Sequence, residues 1–298
     1  MDIRIFFRKA KSLTKTLICR IVFPYYKRHG TPKVFSIEET IKLVVKHHLS
    51  VTRFGDGEYF HLCKVSTGLQ KSDDNLKNKL IETILNRNPK LLVCMVDLLN
   101  QKNSLLSTKL AESYFYVLTY KKIKQYVDAN RQYGNTKMTR FYIDSVDKSQ
   151  CGSYFNLCKQ IWEGEDVVIF EGDKTRFGVG NDLFDNVKSI RRILCPSKNA
   201  FMYYDQILTT AKTFDKKNLL LFSLGITATV AASDLTNEGF RVIDIGNLDT
   251  EYEWYRLGAT KKVAIKGKQV SEVTGGTNVE EIMDEDYLSQ IAGKIGIE

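Results

Sequence analysis

Residues 219–245 read LLLFSLGITATVAASDLTNEGFRVIDI. Leu219–Phe222 is a short apolar run of strand length, and Gly225 follows it as a break. Thr227–Glu238 then reads as a helix, and after Gly239 a second apolar run, Arg241–Ile245, reads as another strand. Two buried strands joined through a helix form a crossover unit, and crossovers join parallel strands.

The same alternation extends through the chain. Ser50–Phe54, Leu91–Val96, Val167–Phe170 and Ile193–Cys195 are further short apolar runs, mostly bounded by Gly, Pro, Asn or charged residues. Helical stretches are expected at Ile37–His48, Asp74–Asn86, Ser104–Val127, Tyr154–Glu163 and Tyr203–Phe214. The fold class is therefore α/β, with a mostly parallel sheet flanked by helices. In such sheets ligands bind beyond the carboxyl ends of the strands, so the residues after each run are the candidates for chemistry.

Composition narrows the possibilities. The 298 residues, 43% hydrophobic and 27% charged, suffice for a substantial core. No stretch has the length of apolar sequence needed to span a membrane. Six cysteines, at 19, 63, 94, 151, 158 and 195, include no C-x-x-C pair, which reads as a reduced intracellular protein. No secretion signal is expected, because Lys15 and Arg20 interrupt the N-terminal apolar run.

The net charge of +9 is uneven: residues 1–30 hold eight basic side chains against Asp2 alone, +7, which leaves +2 for the rest. A nucleic-acid partner is not expected from so ordinary a balance in the body of the chain. Phe6, Ala10, Leu13, Leu17 and Ile21 fall on one helical face. That arm suits either peripheral contact with an anionic membrane or packing against the domain with a solvated basic face. Residues 1–32 form this arm and a linker (Pro24–Pro32), and residues 33–298 form one domain.

Four places follow strands. Arg53-Phe54-Gly55-Asp56-Gly57-Glu58 sets two carboxylates one residue apart beside an arginine, which suits Mg²⁺ or Mn²⁺ on a diphosphate and equally suits a solvated turn. Glu171 to Asp182, EGDKTRFGVGND, is a glycine-bearing loop in which backbone N–H groups can approach a phosphate and Arg176 can neutralise it; the alternative is a connecting loop. Gly225 and Thr227 open a helix, either as an anion site or as a simple cap. Asp244 to Tyr255, DIGNLDTEYEWY, crowds Asp244, Asp249, Glu251 and Glu253 among three aromatics, as proton acceptors, metal ligands or an acidic helix start.

These stretches together resemble the GT-D type glycosyltransferases, bacterial enzymes that extend surface glycans. The resemblance rests on RFGDGE (53–58), EGDKTRFGVGNDLFDNVKSIRRILCPSKNAF (171–201), LGITATVAASDL (224–235) and DIGNLDTEYEWY (244–255), and covers roughly residues 35–275. It implies a Rossmann-like fold, a UDP-sugar donor (glucose), a glycan or glycoprotein acceptor, and Mn²⁺ or Mg²⁺ held by Asp56 and Glu58. Together with the reading of the loops, it makes Arg53, Gly55, Glu171, Arg176, Gly178, Asn181, Asp182, Gly225, Thr227 and Asn247 the candidate donor contacts. Glu253, with Asp244, Asp249 and Glu251, would supply the catalytic carboxylate. Asn247 departs from the family, where a histidine is expected; asparagine hydrogen-bonds but cannot shuttle a proton near neutrality. The competing readings are a metal-dependent nucleotide-sugar hydrolase or phosphotransferase using the same carboxylates, and a non-catalytic membrane or nucleic-acid-binding module driven by the basic arm. A cytoplasmic location, at the inner face of the membrane if the arm binds lipid, completes the expectation.

Overall fold

The computed structural model describes residues 32–97, 122–280 and 283–297. The basic arm, most of the linker and residues 104–121 of the helix expected at Ser104–Val127 lie outside the described residues; its end holds a 3₁₀ turn, Lys124–Tyr126. In chain order the elements are β1 (Lys33–Val34), α1 (Ile37–His47), β2 (Ser50–Arg53), α2 (Asp56–Leu62), α3 (Asp74–Leu85), β3 (Leu91–Met95) and β4 (Gln132–Asn135). There follow α4 (Cys151–Lys159), β5 (Asp166–Gly172), β6 (Ser189–Cys195), α5 (Tyr204–Ala211), β7 (Leu219–Ser223) and α6 (Ile226–Asn237). The chain continues through β8 (Arg241–Asp244), α7 (Leu248–Arg256), α8 (Glu285–Ser289) and β9 (Ile291–Lys294).

Among the described residues nine strands form one sheet in the order β1-β4-β3-β2-β8-β7-β5-β6-β9, and every neighbouring pair is parallel. The expected parallel α/β architecture is therefore present. From β2 the chain works outward to β3 and β4, and from β5 it works outward to β6 in the opposite direction. β7 and β8 then fill the centre, so the strand order reverses there, the kind of place at which parallel sheets bind ligands beyond their carboxyl ends.

Side chains alternate across the strands and build a core on each face. Val93, Met95, Val168, Phe170, Leu220, Phe222 and Val242 point to one side, where they pack with residues of α3, α5 and α6. Val51, Cys94, Val167, Ile169, Leu219, Leu221 and Ile243 point to the other, with residues of α1, α4 and α7. Such three-layer packing explains why the central strands read as continuous apolar runs. The six expected strands are all present, with β5 and β6 longer than their apolar cores. The strands that sequence reading missed are β1, of two residues, β4, whose QYGN carries no apolar run, and β9 at an edge.

Helix α6 is buried nearly all round, ten of its twelve residues being inaccessible, and is built largely from Ala, Thr, Ser and Val. Small side chains let it lie close on β2, where Thr52 Oγ1 donates to Thr229 O at 2.7 Å. Its start needs Gly225, whose φ of 55° and ψ of −137° lie outside the range of residues carrying a Cβ. Among the described residues no helix is long and apolar enough to cross a membrane.

Candidate active site

The parallel sheet brings the ends of β2, β8 and β7 to one edge, and Arg53, Asp244 and Ser223 are the last residues of those strands. Arg53 Nε donates to the Asp244 carbonyl at 2.9 Å, and Nη2 donates to Asp244 Oδ1 at 2.9 Å. The pair is largely covered, with side-chain exposures of 17% and 2%. Directly above it the chain turns at Gly246, which has φ +51° and where a Cβ would lie 2.0 Å from Arg53 Nη2. Glycine is required here for space as well as conformation.

Asp56 and Glu58 do not sit on a loose turn, because they open α2. Glu58 Oε2 reaches back and accepts the Gly55 N–H at 2.7 Å, an N-terminal cap made by the motif itself. Asp56 is exposed and its Oδ1 accepts the Gly57 N–H at 3.0 Å. The α2 and α6 starts adjoin: a Cβ on Gly57 would lie 3.4 Å from Ile226 Cγ1.

The centre of the cluster is Thr229, on the second turn of α6. Its Oγ1 lies 3.1 Å from Arg53 O, 3.3 Å from Glu58 Oε1 and 3.2 Å from Asp244 Oδ2. One hydroxyl proton cannot serve three acceptors, so this spot carries more negative charge and lone pairs than the protein's own donors satisfy. Burial, reinforced by the neighbouring Asp244 charge, lifts Glu58 to about 7. Burial also raises Asp244, against the pull of Arg53.

The glycine-bearing loop after β5 is tied to its surroundings by contacts of the kind a connecting loop makes. Glu171 is wholly buried; Oε2 accepts the Phe177 N–H at 2.6 Å and Oε1 meets Arg192 Nη1 at 2.7 Å. Arg176 is 4% exposed, and its guanidinium donates to the carbonyls of Gly267 and Glu280. Both side chains thus hold loops in place, Glu171 through both carboxylate oxygens and Arg176 through its two terminal nitrogens, while the buried Arg176 Nε has no protein partner. Gly178, at φ +77°, leaves room for the Phe184 ring, 2.4 Å from where a Cβ would stand.

Asn181 and Asp182 reach across to α7. Asn181 Nδ2 donates to Asp249 Oδ1 and to Glu253 Oε1, both at 2.7 Å. The two carboxylates are four residues apart and share one helix face. Lys268 Nζ completes that group, 2.7 Å from Asp249 Oδ2 and 3.1 Å from Glu253 Oε1. Asp182 is held at about 2 by Lys159 and Tyr252, whose hydroxyl donates to it at 2.8 Å.

Glu251, on another face of α7, is buried and accepts the N–H groups of Tyr142 and Ile143 at 2.7 and 3.0 Å. It therefore anchors a loop, and burial raises its pKa. Asn247 Nδ2 donates to Glu272 Oε1 at 3.1 Å. Glu272 is paired with Arg140 and Lys262, which hold it at about 2 against the opposing effect of burial. Of the three aromatics in this segment, Trp254 and Tyr252 are buried in the core and Tyr255 is 38% exposed.

The structure therefore brings Arg53, Gly55, Asp56, Glu58 and Asp244 into one cluster, and Asn181, Asp249 and Glu253 into a second. Thr227 lies buried near the first, its hydroxyl without a protein partner. Sequence reading passed over Thr229, Lys268, Arg140 and Glu272. Thr229 stands inside a motif already singled out, whereas Lys268 and Glu272 lie in an irregular polar segment whose sequence carries no signal of where it docks.

A two-carboxylate centre at the reversal of a parallel sheet can be compared with known proteins. The family model for the glycosyltransferase GT-D fold matches residues 51–273. The chain is 34% identical over 268 residues to "Probable glycosyl transferase Gly" of Streptococcus gordonii, an alignment covering 89% of this chain and 39% of that protein. It is 36% identical over 264 residues to "Glycosyltransferase GlyD" of Streptococcus pneumoniae, covering 88% of this chain and 32% of that one. The chain thus spans about a third to two fifths of the length of these relatives. A solved structure described as "The highly conserved domain of unknown function 1792 has a distinct glycosyltransferase fold" superposes with a TM-score of 0.86 at 38% identity, covering 92% of this chain and 99% of that one. "A New Glycosyltransferase (DUF1792) from Streptococcus sanguinis" superposes with a TM-score of 0.83 at 35% identity, covering 89% and 99%. Matched over most of its length by the family model, by relatives and by solved folds alike, the chain belongs to the glycosyltransferase GT-D fold family.

Proposed function

We propose that the protein transfers a sugar, glucose in the first instance, from a UDP-sugar to a hydroxyl of a glycan acceptor during synthesis of a cell-surface glycoprotein or polysaccharide. The observation that carries this reading is the excess of acceptor atoms around Thr229 Oγ1, with exposed Asp56 in the same first turn of α2 as Glu58. Such a place favours a proton or a cation. Mg²⁺ or Mn²⁺ binds through one or two carboxylates and completes its shell with water and phosphate oxygens, so Asp56 and Glu58 have the right donor chemistry. The ion, when bound, would offset negative charge growing on the leaving diphosphate.

The residues of the chain supply the rest. Arg53, anchored by Asp244 and confined by Gly246, presents fixed positive charge beside the carboxylates. The first turn of α6, with its free N–H groups, favours an anion at the same edge. Among the four carboxylates of residues 244–253, Glu253 alone keeps partial exposure, and it is the proton acceptor in this reading. Asn181 and Lys268 orient it through Oε1. Glu251 and Asp249, both buried and bonded, are assigned to positioning.

The test is a donor turnover screen with Mn²⁺ over UDP-glucose, UDP-galactose, UDP-N-acetylglucosamine and GDP- or dTDP-sugars, on wild type and Asp56→Ala. Metal-dependent consumption of one donor, reduced at least a hundredfold in the variant, is the expected result. Folded protein that binds no nucleotide sugar would remove the proposal.

A further inference from the structure

A concavity of about 870 Å³ lies on the face of the sheet covered by α3, α5 and α6. One wall is α3, where Asn75, Asn78 and Glu82 follow at helical spacing along the groove. The other wall is the connection from β6 into α5, with Phe201, Met202 and Tyr203. Its volume falls within the range of sites for small organic ligands.

The groove is built, not merely left over. Its two rims are stitched by hydrogen bonds: Lys71 N donates to Asn199 Oδ1 at 2.9 Å, Asn199 N to Leu69 O at 2.8 Å, and Phe201 N to Gln70 Oε1 at 3.3 Å. Behind them Lys79 Nζ and the Tyr204 hydroxyl both bond Asp234 of α6, at 2.7 and 3.0 Å. Asn75 and Asn78 are exposed, and Met202 is 75% exposed beside two partly buried rings. An exposed methionine next to aromatics is an apolar surface, while planar amides donate and accept at once.

This combination suits one ligand class. A sugar ring has an apolar C–H face that packs on aromatics and thioethers, and a rim of hydroxyls that need paired donors and acceptors. The charged lining residues, Lys71 and Lys79 against Asp73, Glu82 and Asp205, sum to −1, and Lys79 is already committed to Asp234. Phosphate-bearing ligands and nucleic acid would find no excess of positive charge here.

The position fits a transfer reaction. Gln70–Ser72 belongs to the segment that leaves α2, whose first turn carries Asp56 and Glu58. Residues 199–203 follow the carboxyl end of β6. Both rims therefore rise to the edge of the sheet that holds the carboxylates.

We propose that the groove between α3 and residues 199–206 binds the acceptor as an uncharged saccharide chain. The acceptor role rests on the glycosyltransferase reading above. Asn75 and Asn78 bond the sugar hydroxyls, and Phe201, Met202 and Tyr203 pack on ring faces.

The experiment uses the full chain with ¹³C-labelled methionine methyl groups, of which there are five, and follows the Met202 signal. Cellobiose, lactose and chitobiose are titrated as neutral probes, with inorganic phosphate as the charged control. At least one neutral probe is expected to move the Met202 signal saturably. Asn75→Ala/Asn78→Ala, at exposed positions where alanine favours the helix, is expected to weaken that binding at least tenfold. The same variant should raise the KM for that saccharide in transfer while leaving donor hydrolysis unchanged. Response to phosphate alone, no response to any neutral probe, or equal binding by the variant overturns the proposal. Normal donor turnover with a silent Met202 signal overturns the groove alone, whereas a moved signal without donor turnover keeps the saccharide site and removes the transferase reading.

Discussion

Glu58 and Glu171 are two glutamates near the carboxyl ends of parallel strands, one partly and one fully buried, and they differ in how the charge is met. Glu171 has a cation of its own: Arg192 meets Oε1, the Phe177 N–H meets Oε2, and the pair is 2% and 0% exposed. Glu58 has no such partner, since the nearby Arg53 is spent on Asp244, and its Oε1 shares the Thr229 hydroxyl with two other acceptors. In Glu171 charge is balanced within the protein and serves to hold the loop after β5. Around Glu58 no arginine or lysine of its own plays that part.

The sharpest way to break this contrast is to remove the cation from the balanced site. Arg192→Met leaves Glu171 buried without its partner and should cost about 3–5 kcal/mol of stability. Thermal or urea unfolding would register it, and a loss below 1 kcal/mol would mean that Glu171 is protonated in the fold and needs no cation.

At the unbalanced site the effect depends on pH. Glu58 is lifted from the usual 4.5 to about 7, so the folded protein binds this proton more tightly than the unfolded chain does. Its contribution is complete below 4.5 and is lost as pH rises through about 7, by no more than about 3 kcal/mol. Without metal, wild type should therefore lose stability between pH 5 and 8 relative to Glu58→Gln. Mn²⁺ affinity should rise over the same window, as the cation replaces the proton. A wild-type minus variant difference in Tm that is flat with pH would show that Glu58 is ionised throughout.

A smaller effect is expected from Gly246→Ala. The added methyl strains a left-handed backbone and presses on Arg53, at a cost of about 1–3 kcal/mol. Displacement of Arg53 should also weaken nucleotide-sugar binding, which calorimetry would measure. The smallest belongs to the solvated surface: Lys42→Ala removes an exposed pair with Glu38 and should change stability by less than about 0.5 kcal/mol.

The cluster at Asp56 was legible because it is local. RFGDGE places strand end, glycine and both carboxylates within six residues, and nearness in sequence ensures nearness in space. The surroundings of Glu171 and Arg176 were not legible for the opposite reason: their neighbours in sequence are glycines and a lysine, whereas their partners in the fold are Arg192, Gly267 and Glu280. Asp249 and Glu253 could be recognised as a helical pair only after residues 248–256 were seen to be helix, and nothing local announces Lys268.

The parallel α/β architecture was determined by the sequence itself, because apolar runs of strand length alternating with helical periodicity can bury both faces of a sheet in few other ways. The residue types at the carboxyl edge of β2 were likewise legible in RFGDGE. Strand order, the sharing of Thr229 by three acceptors, and which carboxylates are paired and which left wanting were decided by the tertiary structure alone. The physical reason is that charge balance in a buried site is a sum over neighbours from distant parts of the chain, and that sum has no value until packing brings them together.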